Sequence, residues 1–424
     1  MVETMITPHL QIAADGPLQQ LEEKIISHQV QIETWFRSQW QQFTPSFYCS
    51  VDLRNAGFKL APIDTNLFPA GFNNLNPDFL PLCVQAAQSY IEHVMPGCNR
   101  ILLIPESHSR NLFYLSNVAQ IKKILATAGF DVRLGSVNGS QTDNSIDLPD
   151  GESLTLEPVI KKGNRVYCND FSPCLILLNH DLSEGIPDSL QDIEQKIIPS
   201  LNLGWANRLK SEHFKHYQQV AEEFAKLIDI DPWLINPIYR RCDEVDFMAR
   251  GGEQCLAKHV EDLIAEVKTK YTEYGINREP FIVVKADAGT YGMGVMMVDD
   301  PKQIYDLNRK QRKKMAVSKG GKQVNKVIIQ EGVYTFETIG PENNVAEPVI
   351  YMIGHQVVGG FYRVHQNKSA SENLNSPGMT FEPLAFAESC NVPDTCASEP
   401  CFKNRFYTYG VIARLALLAA ARES

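Results

Sequence analysis

Between Leu18 and Phe43 the apolar positions Leu21, Ile25, Ile32, Trp35 and Phe36 recur at roughly helical spacing among Glu, Gln and Lys. The spacing predicts an amphipathic helix, whose apolar stripe packs on the body of the protein or on a second subunit. RILLIP at 100–105, a periodic segment from Leu112 to Ala128 and FDVRLGS at 130–136 read as strand, helix and strand, an α/β unit. PCLILLN at 173–179 reads as another buried strand, and the Asp-, Gly-, Ser- and Thr-rich stretch 138–162 as turns and short strands. Phe214, Tyr217, Val220, Phe224 and Leu227 mark a second amphipathic helix within 205–228, and 255–274 supplies a third. The pattern then changes to β-branched runs at 280–285, 326–330, 348–353 and 356–364, the last two flanking a turn at Gly354 and His355. A largely apolar helix around 410–421 is expected to be buried.

A chain of 424 residues is too long for one ordinary core. The pattern predicts a mixed α/β (α+β) protein with an N-terminal α/β region over 1–200 and a second region over 201–424. With 44% hydrophobic and 21% charged residues and no apolar run long enough to cross a bilayer, the composition excludes a membrane protein and a disordered one. The first residues are polar and acidic where a signal peptide needs a basic end and an apolar stretch, so a cytoplasmic location is expected. Ten cysteines without a C-x-x-C pair argue against structural zinc and for free thiols, with Cys396 and Cys401 close enough in sequence to pair. A net charge of −10 disfavours nucleic acid as a partner, and the basic run 309–314 reads as a solvated helix face.

The chemistry concentrates in three places. In FIVVKADAGTYGMGVMMV, Lys285 leaves the end of a strand and Gly289, Gly292 and Gly294 follow before a second apolar run. Glycines let backbone N–H groups approach phosphate oxygens, and the lysine adds a point charge. The loop lacks G-K-[ST] and enters a strand, which fits a flap laid over ATP through Lys285, Gly289, Thr290, Tyr291, Gly292, Met293 and Gly294, as well as a plain hairpin turn. In VIIQEGV, Gln330 and Glu331 end a strand where adjoining backbone groups, through Val333, can read the edge of adenine and a carboxylate can hold ribose or the amino group. Arg363 lies on the paired strand of the later hairpin, placed to hold a carboxylate or a phosphoryl group.

The densest polar cluster is upstream, in SVDLRNAGFKLAPIDTNLFPAGFNNLN at 50–76. Its composition suits a turn-rich loop that caps itself, or a ligand site. As a site, Asp64 and Asn66 flank one residue and share a face of an extended segment, offering oxygen ligands to Mg²⁺. Arg54 and Lys59 then hold substrate carboxylates, with Asn73 and Asn74 beside them. The third patch, ENLNSPG at 372–378, reads as a lid whose amides Asn373 and Asn375 contact substrate and phosphate, or as a surface loop.

VDLRNAGFKLAPIDTNLFPAGFNNLNP, KADAGTYGMG, VIIQEGV and GGFYRVH with ENLNSPGM together resemble the bacterial glutamate-cysteine ligase family of the ATP-grasp group. The likeness extends to GWANRLKSEHF and the closing NRFYTYGVIARLALLAAA. It implies an ATP-grasp-like nucleotide site between two sheets. It further implies ligation of L-glutamate to L-cysteine with ATP and Mg²⁺, through an acyl phosphate, as the first step of glutathione biosynthesis. IDTNLFPAGFNN is also similar to the metal motif of eukaryotic-type glutathione synthetases, which points to Asp64 and Asn66 as metal ligands and to Asp287 as the third. The same likeness gives Arg363 the substrate carboxylate or the acyl phosphate. Two alternatives stand beside this: a related ligase with other substrates, such as a glutathione synthetase, and an ATP-binding thiol sensor.

Overall fold

The computed structural model describes residues 16–106, 111–137, 144–149, 151–289, 294–317, 321, 323–384 and 405–423. Helices and sheets are mixed, and three sheets organise the chain. Tyr48–Asn55 and Leu60–Asn66 form a hairpin that joins Asn344–Ile353, Gln356–His365 and Thr380–Pro383 in one antiparallel sheet, to which Thr338–Ile339 adds a short strand. This large sheet therefore draws strands from both sides of residue 200. The stretch 50–76, readable as a turn-rich loop, opens with a pair of hydrogen-bonded strands that reaches Asn66. Its tight turn is closed by Ala56 N–H to the Lys59 carbonyl at 2.8 Å, with Gly57 at a φ of +81° that L side chains rarely adopt.

A second sheet of four antiparallel strands runs in the order Tyr239–Cys242, Val327–Glu331, Ile282–Ala286, Val295–Val298. The last two are the stems of the glycine flap, Lys285 pairing with Val295. The third sheet holds the predicted α/β unit: Arg100–Pro105 pairs in parallel with both Asp131–Ser136 and Leu175–Asn179. Along its central strand Leu102 and Ile104 enter one hydrophobic core, and Ile101 and Leu103 the other, as the two-residue period of a strand buried on both faces requires. Among the described residues no helix is long and apolar enough to cross a membrane.

The predicted helix at 18–43 is two, Pro17–Ser27 and Gln29–Trp40. His28 ends the first, its Nδ1 donating to the Lys24 carbonyl at 2.8 Å. The helix predicted within 205–228 begins at Lys210 and runs to Ile228. It packs on the closing helix Arg405–Ala421, which also covers the strand Leu60–Asn66. From Val411 to Leu418 every residue of this last helix is buried, the ion-paired Arg414 included, so replacing Leu415 by alanine would cost about 2–5 kcal/mol.

The cysteines, scattered in sequence, are partly gathered in space. Cys98 and Cys174 precede two adjacent parallel strands, and their Sγ atoms lie 2.8 Å apart. Burial opposes ionisation of Cys174, but hydrogen bonds from the Cys98 thiol and nearby backbone N–H groups outweigh it and hold it below the usual thiol range. Burial and the Cys174 sulfur push Cys98 up to about 12. Stoichiometric peroxide is expected to link this pair first, read as a crosslinked peptide that is lost in Cys174→Ser. Oxidation of other thiols with this pair untouched would contradict it. Cys396 and Cys401 lie outside the described residues.

Candidate active site

The large sheet and the four-stranded sheet face each other across a cleft of about 760 Å³. Strand alternation sets its walls. On the large sheet Asp52 and Asp64 are directly paired across the hairpin, and Glu347 is paired with Arg363 on the next two strands. Arg363 Nη1 donates to Asp52 Oδ2 at 2.8 Å and to Glu347 Oε1 at 2.6 Å, and Arg54 Nε donates to Glu347 Oε2 at 2.9 Å. The result is a buried row of alternating charge. Opposite it stand Lys285 and Gln330 on adjacent strands of the four-stranded sheet, with Val283, Val295 and Met297 making the apolar portion.

The two walls meet. Lys285 Nζ donates to the Ile63 carbonyl at 2.8 Å and to Gln330 Oε1 at 2.9 Å, so the flap strand is tied to the residue before Asp64. Lys210, at the start of its helix, donates to Asp64 Oδ1 at 2.7 Å. Burial alone would raise the Asp64 pKa, but Lys210 and Lys285 outweigh it and hold the carboxyl at about 2. Burial lowers Lys285 to about 8, with Asp64 opposing. Asp52 is raised by burial, against which Arg363 is the main opposing group, with Glu347 and Asp64 adding to the rise. Among the described residues that line the cleft, Gln330 and Arg363 each have a buried donor, Nε2 and Nε respectively, without a protein partner. A buried donor without a partner is costly, so these are the points where a bound ligand gains most.

Of the residues singled out in the sequence, Lys285, Gly289, Gln330, Glu331, Val333, Arg54, Asp64, Arg363, Asn373 and Asn375 line this cleft. Gly294 closes the flap, its carbonyl accepting from Ala286 N–H at 3.0 Å, with a φ of +63°. Thr290, Tyr291, Gly292 and Met293 lie outside the described residues. Others of these residues are engaged by partners within the protein or lie outside the cleft. Glu331 does not offer a free carboxylate: it accepts from Lys59 Nζ at 2.7 Å, Trp233 Nε1 at 3.1 Å and Ile238 N–H at 3.0 Å. Lys59 is fully buried in that pair and in contact with the Trp233 ring, away from any substrate carboxylate. Arg54 reaches the cleft, but its guanidinium is engaged by Glu347, the Val333 carbonyl and the carbonyls of Ala370 and Glu372, so it ties the 372–378 loop down.

Asn66 ends its strand and turns back, its Oδ1 accepting from Phe68 N–H at 3.0 Å. Asp287 is fully buried and holds the start of the Lys210–Ile228 helix, accepting from Ser211 N–H and Ser211 Oγ at 2.7 Å each. Its own carbonyl accepts from Lys210 N–H at 2.8 Å, so Asp287 places Lys210. Asn73 and Asn74 bond each other outside the cleft. Asp64, Asn66 and Asp287 thus do not converge, and among the described residues no group of three His, Cys, Asp or Glu is arranged for a metal. The acidic pair Asp52 and Asp64 does suit Mg²⁺, which takes one or two carboxylates and completes its shell with phosphate and water. Lys210 and Glu347 went unnoticed in the sequence. The spacing between Asp52 and Asp64 would have exposed their pairing once 48–66 was read as a hairpin.

A cleft between two sheets, with lysines on one side and a carboxylate and arginine row on the other, is the site of an enzyme that handles charged substrates. The chain belongs to the glutamate-cysteine ligase family, whose profile matches residues 22–424. A candidate gamma-glutamylcysteine synthetase of Methylobacillus flagellatus KT, seen in a crystal structure, is 57% identical and superposes with a TM-score of 0.91, covering 99% of each chain. The protein is a ligase that joins glutamate to cysteine for glutathione biosynthesis. D-alanyl-alanine synthetase A of Vibrio cholerae matches 75% of this chain and 81% of its own at 12% identity and a TM-score of 0.33. A glutathione synthetase-like effector of Globodera pallida matches 87% and 81% at 10% identity and 0.36, and neither likeness is close enough to bear on this fold. No curated protein matches the sequence.

Proposed function

We propose that the cleft is an ATP-grasp site in which ATP phosphorylates the glutamate γ-carboxylate and cysteine's amine displaces the phosphate. The observation that carries this reading is the contact of Lys285 with the hairpin bearing Asp64, which puts a phosphate-binding lysine and an ionised carboxylate at one place. The nucleotide lies against the four-stranded sheet, with the orphan Gln330 amide as a donor to it. Lys285 and the flap hold the phosphates, and Asp64, with Asp52 across the hairpin, holds Mg²⁺, which when bound offsets phosphate charge. A glutamate γ-carboxylate oxygen attacks the γ-phosphorus, ADP leaves, and the acyl phosphate rests against Arg363, whose free Nε faces developing negative charge. Cysteine's amine then attacks the acyl carbon and phosphate departs with the bonding electrons. Positioning and electrostatics carry the catalysis, and the setting is the reducing cytoplasm, where cysteine stays a thiol.

Incubating the protein with ATP, Mg²⁺ and pairs of amino acids, and weighing the products, tests the reading. Glutamate with cysteine should give the dipeptide together with ADP; product only from another pair, or without ADP, would overturn it. The Lys285 charge adds a pH dependence. Its constant of about 8 means the cation is lost as pH rises above that value, so ADP affinity should fall between pH 7 and 9. Direct binding by calorimetry reads this without interference from cysteine ionisation, and a flat profile would contradict it.

A further inference from the structure

Behind the Asp64 wall lies a buried charge cluster that takes no direct role in the reaction just described. Glu423, two residues beyond the helix Arg405–Ala421, accepts from Arg208 Nε at 2.7 Å and Nη2 at 2.9 Å, and from His213 Nδ1 at 2.5 Å. All three side chains are less than a tenth exposed. The third guanidinium nitrogen, Nη1, donates to the carbonyl of Thr65, the residue after Asp64, at 2.8 Å. Arg208 and Lys210 lie against the same Trp205 ring, 5.1 and 4.3 Å from its centroid, and Lys210 is the partner of Asp64. Arg208 therefore stands behind the catalytic wall, bonded to the backbone of the strand that carries Asp64, and is held there by the Glu423 carboxylate.

The Glu423 carboxylate acts on the Arg208 guanidinium more strongly than any other charge, and the Asp64 carboxylate also acts on it. A guanidinium seeks a carboxylate with its planar fork, and a buried one left without its anion turns to the next within reach. We propose that Glu423 is a positioning residue of the ligase: it holds Arg208 away from Asp64, so that an Asp64 oxygen stays open to the metal and phosphates in the cleft. The inference rests on the reading of Asp64 as the carboxylate on the phosphate side.

The test uses the full chain with Glu423→Gln, which keeps size and removes charge. At a temperature below its melting transition, kcat should fall by about ten- to a hundredfold with the KM values for glutamate and cysteine unchanged. The Mg²⁺ concentration that half-saturates ADP binding should rise in parallel, because Arg208 now competes for Asp64. Adding Arg208→Gln to Glu423→Gln removes the competitor and should recover most of the lost kcat. A role in packing alone predicts the reverse, a double variant no better than the single one with an unchanged Mg²⁺ requirement, and that result overturns the proposal. If the double variant does not fold, the Mg²⁺ dependence of ADP binding in the single variant decides. Asp64→Asn separates the two levels: full activity there sinks the site itself, whereas an inactive Asp64→Asn beside a wild-type Glu423→Gln sinks only this inference.

Discussion

Asp64→Ala is expected to lower turnover on the order of 10²–10³-fold and to leave a cooperatively folded protein. The Asp64 side chain is 38% exposed at the mouth of the cleft and belongs to neither core, so its loss opens no cavity. Lys210, its partner, is buried and loses its anion, but it keeps the Trp205 ring and an opening on the cleft, so the loss lowers stability without unfolding the chain. What disappears is the ionised oxygen opposite Lys285. Because Lys210 and Lys285 hold the carboxyl at about 2, it stays charged throughout the range in which the enzyme can be assayed. Circular dichroism and a melting curve next to the turnover measurement separate the two effects. Near wild-type turnover would remove Asp64 from the mechanism.

Arg363→Met should act on stability and activity together. Its Nη1 is the shared partner of Asp52 and Glu347, both largely buried, and its loss leaves that acidic pair with only Arg54 to balance Glu347. Removing one member of a buried ion pair typically costs about 3–5 kcal/mol, and urea unfolding should show a loss of that size at neutral pH. The pH dependence has a definite sign. Asp52 is already raised by burial and rises further without Arg363, while Glu347, held below its ordinary range by Arg54 and Arg363 against burial, loses one of those partners and moves up as well, so the folded variant binds more protons than the wild-type fold and, at Asp52, more than the unfolded chain. Its stability must therefore fall as pH rises through those raised values, and the deficit should be smaller at pH 5 than at pH 8. A deficit equal at both would mean that the acidic row is not held by Arg363. Ligation should be lost even where the variant is folded, since the orphan Nε goes with the side chain.

Much of the fold is written locally. The β-branched runs at Ile282–Ala286 and Val327–Glu331 and the apolar helix Arg405–Ala421 carry their own signal, and the turn at Gly354 sits where the two flanking strands predict it. The hairpin at 48–66 was ambiguous for a physical reason. Its alternating positions Asp52, Arg54 and Asp64 face a charged cleft instead of solvent or core, so a buried strand carries the composition of a loop.

The errors about individual side chains share a cause. Lys59 and Glu331 are 272 residues apart in sequence and in contact in space, so each looked free for a ligand. Asp287 lies close to Lys285 in the chain and suggested a metal ligand, but the partner that claims it is Ser211, at a helix start that periodicity placed several residues too early. Asn66 shares a strand with Asp64, yet a short amide at a strand end bonds more readily to the next turn than across a cleft. Charge type and spacing pick out segments that line the cleft, and only tertiary pairing decides which of their side chains remain available.

Glutamate labelled with ¹⁸O in its γ-carboxylate puts the central claim to the most direct test. If the cleft phosphorylates that carboxylate, one labelled oxygen must leave with inorganic phosphate in each turnover, while ADP stays unlabelled and the dipeptide keeps the other. Mass spectrometry of the released phosphate should show that single ¹⁸O. Unlabelled phosphate accompanying dipeptide formation would rule out the acyl phosphate and the roles given to Lys285, Asp64 and Arg363.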